Sequence, residues 1–298
     1  METLLAHSFD YLSSYEPSKV RKGLRQVEGL LAQICLSKAK QSSVVRKRSM
    51  MGMGSPQPAA RPLSEIKDDP AFREFFKLQE GFQWNGKPYR TALFISDRLK
   101  LTNLVAMRLV TCLEHLLGRG SNGTNDLLIL ATLDLIQGAL LLHPLSRTLF
   151  AREIYMNLLL DLLDPINCPA IQSTTLLTLV TALLDNPANT RTFEQLDGLL
   201  TVTSLFKQRA TSREVKLKLV EFLYFYLMPE TPTNLPSPGM QRRGPHLRSP
   251  KGSRHSANGN RSTRTTDEKQ ALLGRYLNNV ADLVEDLKET APFGATVY

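Results

Sequence analysis

Apolar residues recur at three- and four-residue intervals along most of the chain, which is the spacing of helices that bury one face. Leucine is far commoner than valine or isoleucine, and this composition favours helix over sheet. In the N-terminal half the spacing predicts helices over 2–15, 17–36, 68–79 and 91–117, the last as one helix or a helix pair. Together these features predict an all-α protein.

The same pattern repeats farther along the chain. Pro144 and Phe150 recur 43 residues later as Pro187 and Phe193, within a wider set of matching leucines. The repeat places three long helices in register, at 127–142, 170–185 and 213–228. A period of about 40–47 residues is typical of armadillo and HEAT repeats, whose units bury an apolar face by stacking on one another. We therefore expect the three long helices to lie side by side.

The order of helices within a repeat distinguishes the two repeat types. In the second unit, 186–196 and 199–206 read as short helices separated near Gly198, ahead of a long third helix. This short-short-long order favours an armadillo-like unit. The first unit has Tyr155 at the position of the glycine, so it is expected to run as one helix through 147–163. The predicted fold class is an all-α, armadillo/HEAT-like short α-solenoid.

Two basic segments interrupt this pattern. Residues 38–67 and 229–266 each hold seven Lys or Arg and one Glu, so the rest of the chain is net negative although the total charge is +9. Both are rich in small and turn-forming residues and are expected to be disordered. The predicted organisation is N-terminal helices (1–37), a basic insert (38–67), an armadillo-like domain (68–228), a basic Pro/Ser-rich linker (229–266) and a C-terminal helix (267–289). Thr265 and Glu268 have the spacing of a capping box at the start of the C-terminal helix.

The position of the basic charge bears on possible partners. A nucleic-acid-binding domain more often carries its positive charge on a folded face, so nucleic acid is an unlikely ligand. An adaptor that binds nucleic acid or another partner through the linkers remains the alternative function, and salt-dependent binding would indicate it. The segments also hold Ser/Thr-Pro dipeptides suited to proline-directed phosphorylation, at Ser55, Thr231, Ser237 and Ser249.

Known catalytic and cofactor motifs do not account for this chain. GRGSNG at 118–123 matches a dinucleotide fingerprint literally, but a helix precedes it where the motif needs a strand. The five histidines show no metal-ligand spacing, and no cysteine has the arginine six residues on that a thiol phosphatase needs. The sequence predicts a protein that is not an enzyme and has no cofactor or metal. A hydrolase of unrecognised type remains a rival hypothesis, and a deep cleft with convergent titratable residues would support it.

The compartment is indicated indirectly. Three cysteines without paired spacing favour a reducing environment. The N-terminus has no features of a secretory signal, and the most apolar stretch, 127–142, contains Asp134 and Gln137. We expect that stretch to be a buried helix and not a membrane span.

Three segments resemble a known family. Residues 4–36, 189–207 and 214–230 are similar to the fungal cell division control protein fourteen family, a component of the septation initiation network (SIN) and not the phosphatase of the same name. The resemblance implies a non-catalytic regulatory or scaffold subunit that binds and supports a germinal-centre-type Ser/Thr kinase, promoting septum formation and cytokinesis. It also implies a location in the cytoplasm and at the spindle pole body, with the division site as a further possibility.

Candidate partner-binding residues follow from the predicted solenoid. Solenoids bind partners on extended surfaces, so the kinase is expected to dock in a groove lined by the long helices. Polar residues at the repeat junctions are expected to be exposed and are candidates for contact with the partner: Arg147, Asn189, Arg191 and Glu194. A polar cap on each repeat would explain these residues equally well. Trp84, in a predicted loop, is either a partner contact or a cap on the core.

Overall fold

The computed structural model describes residues 2–36, 61–80, 105–118, 123–230, 263–282 and 285. The described residues form helices joined by short turns, and they contain no β-strand. The all-α prediction is therefore confirmed for the part of the chain that the structure describes.

In the described segments before the repeats, the helices are α1 (Glu2–Leu12), α2 (Pro17–Cys35), α3 (Leu63–Asp68), α4 (Pro70–Glu80) and α5 (Val105–Leu117). Helices α1 and α2 pack together as a helical hairpin, in which Val27 and Ile34 are completely buried. Phe75 of α4 is also completely buried, as its helical spacing predicts. The side chain of Gln79 accepts a hydrogen bond from the backbone N–H of Val105 at 2.8 Å, which caps the first turn of α5.

The repeats comprise α6 (Asp126–Leu142), a 3₁₀ helix (Pro144–Ala151), α7 (Glu153–Asp161), α8 (Pro169–Leu183), α9 (Pro187–Gln195), α10 (Gly198–Lys207) and α11 (Arg213–Leu227), followed after the linker by α12 (Thr266–Leu273). The three long helices are α6, α8 and α11. Helix α8 packs against α6 and against α11, so the predicted side-by-side arrangement is confirmed.

One buried position repeats through the stack. Leu133, Leu176 and Leu219, each 43 residues after the last, are at most 1% exposed. Burying a leucine side chain stabilises a fold by roughly 1.5–3 kcal/mol, so each of the three positions contributes an amount of this order. The short helices follow the same rule, because Phe150 and Phe193 are both buried.

The first repeat differs from prediction. It does not run as one helix through 147–163, because the backbone at Arg152 is extended (φ −88°, ψ 127°) and separates the 3₁₀ helix from α7. The next repeat stabilises the break, since the Thr192 hydroxyl donates to the carbonyl of Ala151 at 3.2 Å. Both repeats therefore share a short-short-long order, and the armadillo type stays a prediction.

In the second repeat the break falls next to Gly198, as the sequence predicts. Asp197 adopts the left-handed conformation (φ 57°), and Gly198 begins α10. A β-carbon at Gly198 would lie 2.3 Å from Cε2 of Phe193, so only glycine fits against that buried ring.

The ends of the predicted segments also differ. The C-terminal helix does not run unbroken over 267–289, because α12 ends at Leu273 and the chain turns before it is helical again at Val280. The predicted capping box at its start is confirmed. The last residues of the basic insert are structured as α3, and Arg61 forms an ion pair with Asp69 at 2.6 Å. The remainder of the insert, 38–60, lies outside the described residues.

Candidate functional site

Two of the predicted contact residues lie inside the protein. Arg147 is 7% exposed and Asn189 is completely buried, so the expectation that they are exposed was wrong. The amide of Asn189 donates to the carbonyls of Arg147 at 2.7 Å and Ala182 at 2.6 Å, and Arg147 donates to the carbonyl of Leu184 at 3.0 Å. Burial lowers the pKa of Arg147. These side chains hold neighbouring repeats together.

The other two predicted contact residues belong to a largely buried ionic network. Glu194 is 9% exposed and binds Arg191 at 2.8 Å, and it also pairs with Arg264 from the far side of the linker. Its second carboxylate oxygen accepts a hydrogen bond from Tyr226 at 2.8 Å. Burial, followed by the charge of Glu194, raises the pKa of the Tyr226 hydroxyl above its ordinary value.

A second carboxylate completes this network. Glu230, 7% exposed, pairs with Arg191 and lies 3.3 Å from the ammonium of Lys269. It also accepts a hydrogen bond from the backbone N–H of Arg264 at 2.8 Å. Lys269 is itself buried, which lowers its pKa, and it donates to the carbonyl of Met228 at 2.9 Å. We call Arg191, Glu194, Glu230, Arg264 and Lys269 the C-terminal clasp.

The C-terminal clasp joins the segment after the linker to the last repeat. Glu230 and Arg264 lie in the linker that was expected to be disordered, and no signal in the sequence indicated that the two residues meet. The confirmed capping box at Thr265 was the one sign that ordered structure resumes there. Partner contact by Arg191 and Glu194 stays a prediction, although the structure gives both residues intramolecular partners.

The three long helices, which pack side by side, leave equivalent positions accessible to solvent. Within α8, Leu177 is 41% exposed whereas the residues on either side of it in the helix are buried. Leu127 of α6 and Leu217 of α11 are 74% and 59% exposed. Equivalent positions on each helix are exposed or half-buried, and we call this set the front face: Leu127, Ala131, Asp134, Ala170, Thr174, Leu177, Arg213, Leu217 and Val220.

The titratable side chains of the described segments were compared with the requirements of a metal site and of a reactive thiol. They contain no group of three or more His, Cys, Asp or Glu side chains close enough to hold a metal ion. The thiol of Cys35 has its pKa raised by burial, which disfavours the reactive thiolate. His143 is buried, and its Nδ1 lies 2.7 Å from the hydroxyl of Ser146.

Within the same segments, no single helix is both long and apolar enough to cross a membrane; α6 and the 3₁₀ helix meet that test only together, with a 119° bend between them. The remaining predicted site residues lie outside the described residues, and they are Trp84, Ser55, Thr231, Ser237 and Ser249.

The described helices form a stack of repeats with an exposed apolar face and an internal ionic clasp. The fold is therefore that of an all-α helical-repeat protein. Comparison with known proteins gives the family. The family model for "Cell division control protein 14, SIN component" matches residues 1–293, and the chain belongs to this family. Cell division control protein 14 of Schizosaccharomyces pombe is 30% identical over 299 residues, which cover 99% of this chain and 97% of that protein. No solved structure matches the chain.

Proposed function

We propose that this chain is a non-catalytic scaffold that binds a germinal-centre-type Ser/Thr kinase of the septation initiation network and supports its activity. Membership of a SIN component family supports a role in cell division. By this proposal the protein promotes septum formation and cytokinesis by holding the kinase in the cytoplasm and at the spindle pole body, or at the division site.

The exposed front face is the observation that carries the proposal. Its leucines lie on three helices that are otherwise packed into the core, so the face is rigid as well as apolar. Apolar side chains on a preordered surface lose little conformational freedom when a partner covers them. A second protein can therefore bury Leu177 and Leu217 at low entropic cost.

A pull-down with charge substitutions tests the surface. The variant Leu177→Glu/Leu217→Glu should retain at least tenfold less kinase than the unmodified full chain, because each glutamate would lose its hydration on binding. The control is Ile166→Glu, since Ile166 is 85% exposed in the loop between α7 and α8. Equal retention of the kinase by all three proteins would contradict docking on the front face.

Kinase activity tests the regulatory role separately. Deletion of the whole protein should lower the activity of the kinase recovered from cells and its signal at spindle pole bodies. Unchanged activity and localisation after deletion would refute the role as a kinase-supporting subunit.

A further inference from the structure

The front face continues into a groove between α2 and α6. The groove has a volume of about 500 Å³ and an apolar floor that includes Leu24, Leu128 and Leu135. Helix α2 approaches α6 closely at one end, where a β-carbon on Gly138 would lie 3.5 Å from Cδ1 of Leu31. Leu127, which is 74% exposed, also lines the groove.

Four charged side chains line this apolar floor. Glu28 and Asp134 face each other across the groove, and their charges interact, while Arg21 and Arg25 lie on α2 on the N-terminal side of Glu28. Among the described residues, none of these four has an ion-pair partner within 4 Å.

The ionised form of Asp134 is disfavoured at this position. Partial burial, and then the neighbouring charge of Glu28, raise the pKa of Asp134 above its ordinary value. A lysine or arginine placed between the two carboxylates would remove this repulsion, and its aliphatic stem would cover the apolar floor. The arrangement is thus complementary to a basic side chain with apolar neighbours.

The spacing of the charges also fits a helical ligand. Arg21 and Glu28 are seven residues apart on one helix, which separates them by about 10 Å, or two turns. An amphipathic helix laid along the groove can present charges at the same interval, as helix-in-groove ligands do. Because the two acids lie at one end of the groove and Arg21 at the other, with Arg25 between them, the charges also set the direction of the bound helix.

We propose that the groove between α2 and α6 binds a helical segment of a partner protein in which a lysine or arginine lies among apolar residues and an acidic residue lies about two turns away. The basic residue sits between Glu28 and Asp134, and the acidic residue faces Arg21 and Arg25. This inference rests on the proposed function only in that the chain is a protein-binding scaffold; it does not require the partner to be the kinase.

Selection of displayed peptides against the purified full chain tests this inference. A library of random helical peptides is selected on the unmodified protein, and the enriched peptides are then measured by fluorescence anisotropy. The test variant is Glu28→Lys/Asp134→Lys. The control is Asp161→Lys/Glu221→Lys, which makes the same change in net charge at exposed acids outside the groove. Circular dichroism checks that both variants fold.

Enriched peptides should carry a lysine or arginine flanked by apolar residues. They should bind the test variant at least tenfold more weakly and the control within about twofold, as expected for close charge pairs. Replacing the basic residue of the peptide by glutamate should restore binding to the test variant. If the reversed charges unfold the protein, Glu28→Gln/Asp134→Asn replaces them, with a smaller loss of affinity expected.

Three results would overturn the inference: no enrichment, enriched peptides without a basic residue, or equal affinity for the test variant and the unmodified chain. Since the selection uses peptides and no kinase, its outcome is independent of the pull-down described above. A failed selection with kinase still retained would reject the groove and leave the proposed function standing.

Discussion

Because His143 is buried, we expect this fold to be less stable at mildly acidic pH than at neutral pH. The side chain is 3% exposed at the junction between α6 and the 3₁₀ helix. Its Nε2 is buried and has no hydrogen-bond partner among the described residues, and the imidazole packs edge to face with the Phe76 ring, with 5.0 Å between ring centroids. Burial lowers the pKa of His143 from 6.5 to about 4, because an imidazolium at this site would lose its hydration without gaining an acceptor.

The sign of the effect follows from proton binding. Between pH 6.5 and about 4 the unfolded chain binds a proton at His143 that the folded chain does not. The free energy of unfolding therefore falls as the pH falls through this window. For this one group the loss is about 2 kcal/mol between pH 7 and pH 5, and about 3 kcal/mol once the pH is below 4.

Urea denaturation at pH 7, 6 and 5, followed by circular dichroism, measures this loss. The comparison is between the unmodified protein and His143→Gln, because every other titrating group is common to both. The variant will be less stable at pH 7 if the hydrogen bond to Ser146 is weakened, but its stability should fall by about 2 kcal/mol less on going to pH 5. Parallel profiles, within about 0.5 kcal/mol, would refute the assignment of acid sensitivity to His143.

Three further predictions concern the packing of the repeats and the C-terminal clasp. Gly198→Ala should lower the free energy of unfolding by about 2 kcal/mol, because the new methyl group overpacks the core. Gly29→Ala has nothing within 4 Å of the new methyl group and should raise the free energy of unfolding by about 0.5 kcal/mol. Thermal melts that rank the two variants in the opposite order would contradict this packing. Asn189→Ala should cost about 2 kcal/mol in urea denaturation, since two buried carbonyls lose their donor, and a neutral result would mean that water replaces the amide. Glu230→Gln should lower the free energy of unfolding by about 3 kcal/mol and speed hydrogen exchange in α12. The control, Glu221→Gln at an exposed position, should change the free energy of unfolding by less than about 0.5 kcal/mol. Similar effects of the two substitutions would argue against the clasp.

Much of the repeat architecture was predictable because its signals are local. The helical spacing of leucines and the 43-residue offset predicted α6, α8 and α11 to within two residues at each end. Gly198 marked the break in the second repeat, and its close fit against Phe193 explains why a glycine is needed there. The first repeat has no such marker, and its break at Arg152 depends on a hydrogen bond from a residue in the next repeat, so it was missed.

The candidate site was less predictable, because exposure is a property of the folded stack. Arg147, Asn189 and Glu194 are polar residues at repeat junctions, where sequence alone favours a solvated position. The structure buries them because each satisfies backbone carbonyls or charges on a neighbouring element, which offsets the cost of removing it from water.

By itself, the sequence determined the helices, their repeat and the apolar spine that they share, since these follow from spacing within one segment of chain. Only the tertiary structure decided which charges are buried and which surface stays open. Glu230 and Arg264 lie 34 residues apart across the linker, and the acids Glu28 and Asp134 are separated by more than a hundred residues. Side chains so far apart in sequence interact only after packing has brought their helices together, and a local sequence pattern does not indicate such contacts.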